Sequence, residues 1–457
     1  MIGPILFALV LLGTAAFSYK KYSFVVRNIQ LGKVDEEAKP SPERWRNTIM
    51  VALGQQKMFK RPLAAGLHLC VYLAFLVTQI ELIEIVIDGL TGQHRLFWAW
   101  WEGSDFLRGF YTFLVSFIEV LSVMALVATF AFLARRNLLK LPRFVKSEMN
   151  GWPKLDANLI LFAEIILVFC IFLMNSTDMA IHRNEYGFLV SGLISPFWEE
   201  MGASNETLHV LERIGWWGHI LIVFAFLGYL PYSKHLHIIF AFPNTFWARL
   251  NKKGEMANMK EVQEEVASMM DPNAAFDAPV SEEIPKFGVS DVFDLNRQQI
   301  MSAYTCTECG RCTSMCPANL TGKKLSPRKI MMDVRDRADE VGHNLDLNKT
   351  EFINEEQKSE TSKLTVENYD DGKSLFDYIS TEELRACTSC NACVEACPVL
   401  INPLDIIVEL RRNLILEQSD SPEEWNGMFN TIENNGAPWA FSPDDRDKWA
   451  MEINNAE

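Results

Sequence analysis

Eight of the ten cysteines fall into two runs of one pattern, C-x2-C-x2-C-x3-C-P. Cys306, Cys309, Cys312 and Cys316 precede Pro317, and Cys387, Cys390, Cys393 and Cys397 precede Pro398. The spacing is that of the bacterial run that holds a [4Fe–4S] cubane on thiolates. A tight loop brings three thiolates to three corners of one cluster. The fourth cysteine starts a new segment and serves the other cluster in two-cluster proteins. The expected sets are therefore Cys306, Cys309, Cys312 and Cys397, and Cys387, Cys390, Cys393 and Cys316. Structural zinc is the weaker reading, because zinc sites usually use separated C-x2-C pairs or mixed Cys/His ligands. Clustered cysteines of this kind also point to metal ligands in a reducing compartment rather than to disulfides.

The remainder of the chain divides by composition. Residues 251–457 carry 21 Lys and Arg against 39 Asp and Glu, net −18, leaving 22 basic and 19 acidic residues, net +3, in 1–250. An acidic, soluble second half argues against nucleic acid as a partner. The first half is apolar and holds five stretches near the ~20 residues that a membrane-crossing helix needs. They cover about 2–18, 63–87, 108–134, 157–180 and 214–232. The first lacks a basic leading region, and Lys20 and Lys21 follow it, so it reads as an anchor rather than a cleaved signal. Loops 19–62 and 135–156 hold 10 and 6 Lys and Arg, whereas 88–107 and 181–213 hold only Arg95, Arg183 and Arg213. The positive-inside rule then puts the N-terminus outside and everything after the fifth helix, including both cysteine runs, in the cytoplasm. Trp98, Trp100, Trp101, Trp216 and Trp217 fall where an outer aromatic belt is expected.

Histidines and carboxylates inside these spans are candidates for chemistry, since lipid penalises idle polar groups. His219 and His237 are 18 residues apart, five helical turns, so a continuous fifth helix presents both on one face ~27 Å apart. His235 competes for the inner position but lies ~160° around such a helix. His68 stands at the depth of His237, and two neutral imidazoles from facing helices are a usual way to hold haem b in a bundle. Interfacial histidines that merely hydrogen-bond are the bland alternative for each taken singly. Glu81, Glu84, Glu119 and Glu164 are candidates for quinone or proton exchange; Glu84, near the outer interface, is the weakest, and Glu119 and Glu164 read equally as structural carboxylates.

The stretch from Gly218 and His219 through Leu230, Pro231, Tyr232, Ser233, Lys234, His235, Leu236, His237 and Ile238 to Pro243 resembles the last helix of the respiratory nitrate reductase gamma subunit. The membrane subunit of heterodisulfide reductase is similar to the same family. The resemblance implies a five-helix, di-haem cytochrome b that exchanges electrons with quinol or methanophenazine. It assigns ligand positions to His68, His219 and His237 and expects a fourth at Thr78, which cannot serve. Two readings of His219 stay open: the outer haem is lost and His219 is a relic or a quinone contact, or His182 supplies the ligand, with His209 and His94 weaker candidates.

Past Pro243, residues 251–270 have the spacing of a short amphipathic helix, with Met256, Met259, Val262 and Val266 apolar, and 271–290 read as an extended linker. Each cysteine run is followed by a helix start, Ser326-Pro327 and Asn402-Pro403. About 290–415 resembles the α-helical ferredoxin domain found in the di-cluster subunit of heterodisulfide reductase and in succinate dehydrogenase and anaerobic glycerol-3-phosphate dehydrogenase relatives. The expected fold is all-α: a transmembrane cytochrome b bundle (1–245), an amphipathic segment and linker (246–290), a cytoplasmic di-[4Fe–4S] domain (291–415) and an acidic tail (416–457) whose Trp425, Phe429, Trp439, Phe441 and Trp449 suit partner docking.

The chain has no G-x-G-x-x-G opening a helix, no nucleophile elbow, P-loop or metalloprotease motif, and no CCG-rich module. It reads as an oxidoreductase subunit of a bacterial inner membrane, a homo-oligomer remaining open. It would pass electrons between menaquinone or ubiquinone, haem b, two clusters and a cytoplasmic redox partner, a CCG-domain Fe–S protein or an electron-transferring flavoprotein. A quinol-driven disulfide-type reductase subunit and a membrane redox sensor are the alternatives.

Overall fold

The computed structural model describes residues 2–35, 38–139, 141–270, 286–359 and 361–454, which form no strand, only helices and two isolated bridges. Among the described residues, five helices are long and apolar enough to cross a membrane. They are α1 (Ile2–Ile29), α2 (Pro62–Thr91), α3 (Asp105–Asn137), α4 (Trp152–Ile181) and, after a short α5 (Leu189–Glu200), α6 (Asn205–Tyr229). Local chemistry sets their ends. Pro62 opens α2, whose last turn stops at left-handed Gly92. Ser104 and Ser204 cap α3 and α6 through the amides of Leu107 and Thr207. Where α6 meets α4, glycine is required: a Cβ on Gly215 would lie 2.6 Å from the Met174 nitrogen. Small residues at helix contacts let backbones approach, which is how helices pack where no hydrophobic drive exists. Leu73, Ile80, Ile83, Phe113, Val127, Phe162 and Phe169 face outward, as a lipid-bathed surface requires.

The fifth spanning helix ends near the end of its apolar stretch and does not run on to His237, the condition for both histidines sharing one face. It ends at Tyr229, passes through 3-10 turns at Leu230–Tyr232 and Lys234–Leu236, and restarts as α7 (His237–Trp247). Pro231 offers no amide to an α-helix, and the Ser233 hydroxyl accepts from the His235 amide to start a new turn. His219 and His237 therefore lie on separate helices, and their five-turn register has no meaning here.

A helical lobe follows, built on α8 (Arg297–Thr305), α9 (Arg311–Met315), α10 (Pro327–Asp346), α11 (Ala392–Ala396) and α12 (Pro403–Leu416). Pro327 and Pro403 occupy first turns. Asn402 accepts from the Leu404 and Asp405 amides, whereas the Ser326 hydroxyl bonds Thr313 and Glu148 instead of its own helix. The lobe shares one hydrophobic core with the bundle: Val25 and Leu31 at the lower end of α1, and Leu236 and Phe240 at α7, pack with Val292, Leu295, Ile330, Ile406 and Leu410. Asn28 donates to the Tyr304 hydroxyl at 2.9 Å, and the Lys33 amide to the Leu295 carbonyl at 2.8 Å. Gly342 gives Asn28 its room, since a Cβ there would collide with the Asn28 side-chain oxygen. The amphipathic segment forms a helix over Lys260–Met270; most of the expected linker, 271–285, lies outside the described residues. In the tail, α13 (Glu423–Asn435) exposes Trp425, Met428, Phe429 and Ile432.

Candidate functional site

Both cysteine runs fold alike. The residue before the second cysteine is left-handed in each (Glu308 φ 51°, Ser389 φ 53°), as is the residue after it (Gly310 φ 68°, Asn391 φ 59°). Five-residue helices α9 and α11 then follow, and Cys316 and Cys397 end them in extended conformation. Gly310 has a steric reason besides its φ: a Cβ would lie 2.6 Å from the Arg328 guanidinium. Asn391 fills the matching place because asparagine tolerates this region.

Thiols of the two loops lie within electrostatic reach of one another. Cys306 has Cys309 and Cys397 as electrostatic neighbours, and Cys312 has Cys306, Cys309 and Cys397. Cys387 and Cys393 have Cys316 and Cys390. Cys393 is also within reach of Cys312, so the two sets adjoin. All ten cysteines are unpaired by disulfides. Burial pushes the Cys306 and Cys393 thiols up to about 12 and Cys397 to about 11. Thiolates held so deep need a cation to balance them, and a cluster's iron supplies it. Amides already point at sulfur, Ser389 at Cys387 (3.4 Å) and Ile401 at Cys397 (3.3 Å). The donor set therefore fits two four-thiolate clusters.

On the membrane side, His68 of α2 and His237 of α7 face each other with ring centres 6.5 Å apart. A metal with ~2 Å bonds to opposed imidazoles holds their centres ~6 Å apart. The hydrogen bonds fix the tautomers. His68 Nδ1 lies 3.0 Å from Gln55 Oε1 and His237 Nδ1 3.0 Å from the Lys234 carbonyl, both acceptors, so each Nδ1 donates and each Nε2 keeps its lone pair. Ligating histidines are oriented in this way by outer partners. Burial lowers His237 and so favours the neutral ring a metal needs. Gln55, which no sequence signal marks, sits at φ 50° in the segment before α2.

The pair abuts the first thiolate loop. Lys234, three residues before His237, reaches Glu308 between Cys306 and Cys309 at 2.5 Å, and Arg335 holds the other Glu308 oxygen at 2.9 Å. Burial alone would raise Glu308, but Lys234 and then Arg335 outweigh it and hold it below the ordinary glutamate range. Lys57 donates to the Val394 carbonyl, Arg61 to the Ser314 hydroxyl, and Arg311 to the Lys57 and Met58 carbonyls, so the segment leading into α2 seats both loops.

The other sequence candidates scatter. His219 is buried with Nδ1 unpartnered, and Thr78 bonds the Phe75 carbonyl of its own helix. His182 lies with His94 and Asp178, its ring neighbours being His94 and Tyr186. His209 is exposed, and His235 bonds the Ser233 hydroxyl with its ring 5.9 Å from that of His237. Glu119 accepts from the Val190 and Ser191 amides and the Ser191 hydroxyl, so it caps α5. Glu84 accepts from the Tyr111 hydroxyl at 2.7 Å and from the Phe97 amide. Glu164 bonds Thr129, and Glu81, beside Asn175, keeps one buried oxygen unpartnered.

Residues 305–401 match the 4Fe-4S dicluster domain family. The chain is 27% identical over 471 residues to the probable iron-sulfur-binding oxidoreductase FadF of Bacillus subtilis, covering 98% of this chain and 61% of that protein. It is 26% identical to the EtfAB:quinone oxidoreductase of Syntrophomonas wolfei over 92% of this chain and 56% of that one. A probable membrane-anchored ferredoxin of Chromohalobacter salexigens is 27% identical over 53% of this chain and 34% of its own length. The chain thus spans less than two thirds of each of these relatives. No solved structure matches.

Proposed function

We propose that this chain is the electron-transfer subunit of a quinone-linked, membrane-bound oxidoreductase, with one haem b held by His68 and His237 and two [4Fe–4S] clusters held by the crossed cysteine sets. The observation that carries the reading is the opposed histidine pair. Both Nδ1 atoms are engaged by acceptors, both Nε2 atoms are free, and Lys234 and Glu308 tie the pair to the first thiolate loop. Bound there, these groups supply one-electron carriers in series. The chain's own residues fix the series: Gln55 and the Lys234 carbonyl orient the imidazoles, Glu308 with Lys234 and Arg335 sets the spacing, and the shared core excludes water.

Relatives named as an iron-sulfur oxidoreductase and as an EtfAB:quinone oxidoreductase support a quinone and a flavoprotein as the two exchange partners. Charge asymmetry supports an N-terminus outside a bacterial inner membrane and a cytoplasmic lobe. His219 and Thr78 offer no ligand pair, so one haem is expected. A pyridine haemochrome assay on purified protein tests this. One haem per chain, lost in His68→Ala, is the expected result; two haems, or one that survives His68→Ala, would overturn it.

A further inference from the structure

At the far end of the bundle, three side chains the electron path does not use converge. His94 follows α2, and Asp178 and His182 sit one turn apart at the end of α4. His94 Nε2 and His182 Nδ1 each lie 2.9 Å from the same oxygen, Oδ1 of Asp178, and all three donor atoms are within 4.8 Å of one another. The two rings are nearly parallel, 16° apart. Pro153 and Asp156 of the same helix touch Lys234 beside the cluster lobe, so Asp178 lies ~33 Å away along α4.

We propose that His94, Asp178 and His182 form a binding site for a borderline divalent cation of the Zn2+ class. Four features point there. The donors are two imidazole nitrogens and one carboxylate oxygen, which suits Zn2+, Ni2+ or Cu2+ and not the all-oxygen shells of Ca2+ and Mg2+. His94 Nε2 bonds that carboxylate oxygen, and His182 Nδ1, which also donates to the Asp178 carbonyl at 3.1 Å, lies equally close to it, so one cation replaces both contacts after only a small shift of the rings. The second oxygen of Asp178 is held by the Arg95 Nε at 2.5 Å, which fixes the carboxylate as an outer partner does in built metal sites. Arg95 does not make the place cationic. Asp178 is ion-paired to it, and Glu84 lies within electrostatic reach. Asp88 receives the Arg95 amide, and the C-terminal pole of α4 adds its negative end. Access is open, for the His94 and His182 side chains are 39% and 34% exposed while the carboxylate is 1% exposed.

The site is independent of the haem and cluster assignments, and so is its test. The full chain, purified in detergent with its iron content recorded, is titrated with Zn2+ by calorimetry after chelator treatment and dialysis. One high-affinity Zn2+ per chain is expected. His94→Gln and His182→Gln should each weaken it at least tenfold with the iron content unchanged. His94 and His182 are part-exposed, so these variants should fold; Asp178→Asn, which strands Arg95, serves only as a third comparison. Absence of Zn2+ binding, or binding equally tight in both histidine variants, would overturn the proposal. Binding that tracks lost iron would place the zinc on the cysteines and overturn it as well.

Discussion

Around Cys306, Cys309 and Cys312, the clamp that reaches from the bundle is buried: the Lys234 and Glu308 side chains are 6% and 3% exposed. Around Cys387, Cys390 and Cys393, the matching clamp is wet. Glu395 pairs with Lys60 and Lys253 from the bundle side, and these three side chains are 39%, 53% and 63% exposed. Cys390 is itself exposed, and Arg411, which bonds the Leu384 and Cys387 carbonyls, belongs to the lobe. The two loops share a backbone and differ in their surroundings. Both touch the segment before α2, but the first is clamped by a buried ion pair and the second by exposed ones. Similar loop backbones thus sit in unlike settings.

The largest test of that contrast removes ligands. Cys312→Ser should abolish one cluster's EPR signal and leave the haem b spectrum intact, whereas His237→Ala should do the reverse. Loss of both signals in either variant breaks the separation between haem and cluster. Next comes the buried clamp. Lys234→Met leaves buried Glu308 with Arg335 as its remaining partner, so the loss should fall below the ~3–5 kcal/mol that stripping a buried charge of its partner costs. Chemical denaturation followed by cluster absorbance measures it, and adding Glu308→Gln should recover part of the loss.

A pH effect follows from the bundle-to-lobe pair of Glu148 and Arg328, 2.6 Å apart. Burial raises the Glu148 carboxyl, but Arg328 outweighs it and leaves it below the ordinary value. A depressed carboxyl contributes stability that is complete above the ordinary ~4.3 and lost as pH falls through the lower folded value. Glu148→Gln should therefore destabilise by ~1.5–3 kcal/mol at neutral pH and flatten the acid-side decline in thermal melts. The smallest effect belongs to the wet clamp. Glu395→Gln should cost only ~0.2–1 kcal/mol and fade with salt, as exposed pairs do. A cost matching that of Lys234→Met would erase the distinction between the loops.

Much of this architecture is legible in the residues. Apolar length marks the five helices, because lipid permits only self-satisfied backbone. Cysteine spacing marks the loops, and proline after Ser326 and Asn402 marks the helix starts behind them. What periodicity misses depends on contacts across the chain. Its five-turn register for His219 and His237 holds only if the fifth helix passes Pro231, and the missing amide there ends it. It leaves Glu119, a carboxylate in an apolar span, between a quinone-site and a structural role, and only the fold shows α5 turning back to be capped by it. It makes His182 a partner for His219 and passes over Asp178, whose neighbour His94 comes from 84 residues earlier in the chain. It ends the first apolar stretch at 18, although the helix runs to Ile29 and carries Val25 and Asn28 into the lobe.

That extension of α1 imposes an order on biosynthesis. Asn28 leaves the ribosome 276 residues before Tyr304 and 311 before Asp339, the two groups it bonds. At ~5–20 residues per second, the lobe's nascent core waits tens of seconds after its first contributor has been made. The lobe's core is therefore complete only once α1, made first, and the cysteine-bearing helices, made last, have met.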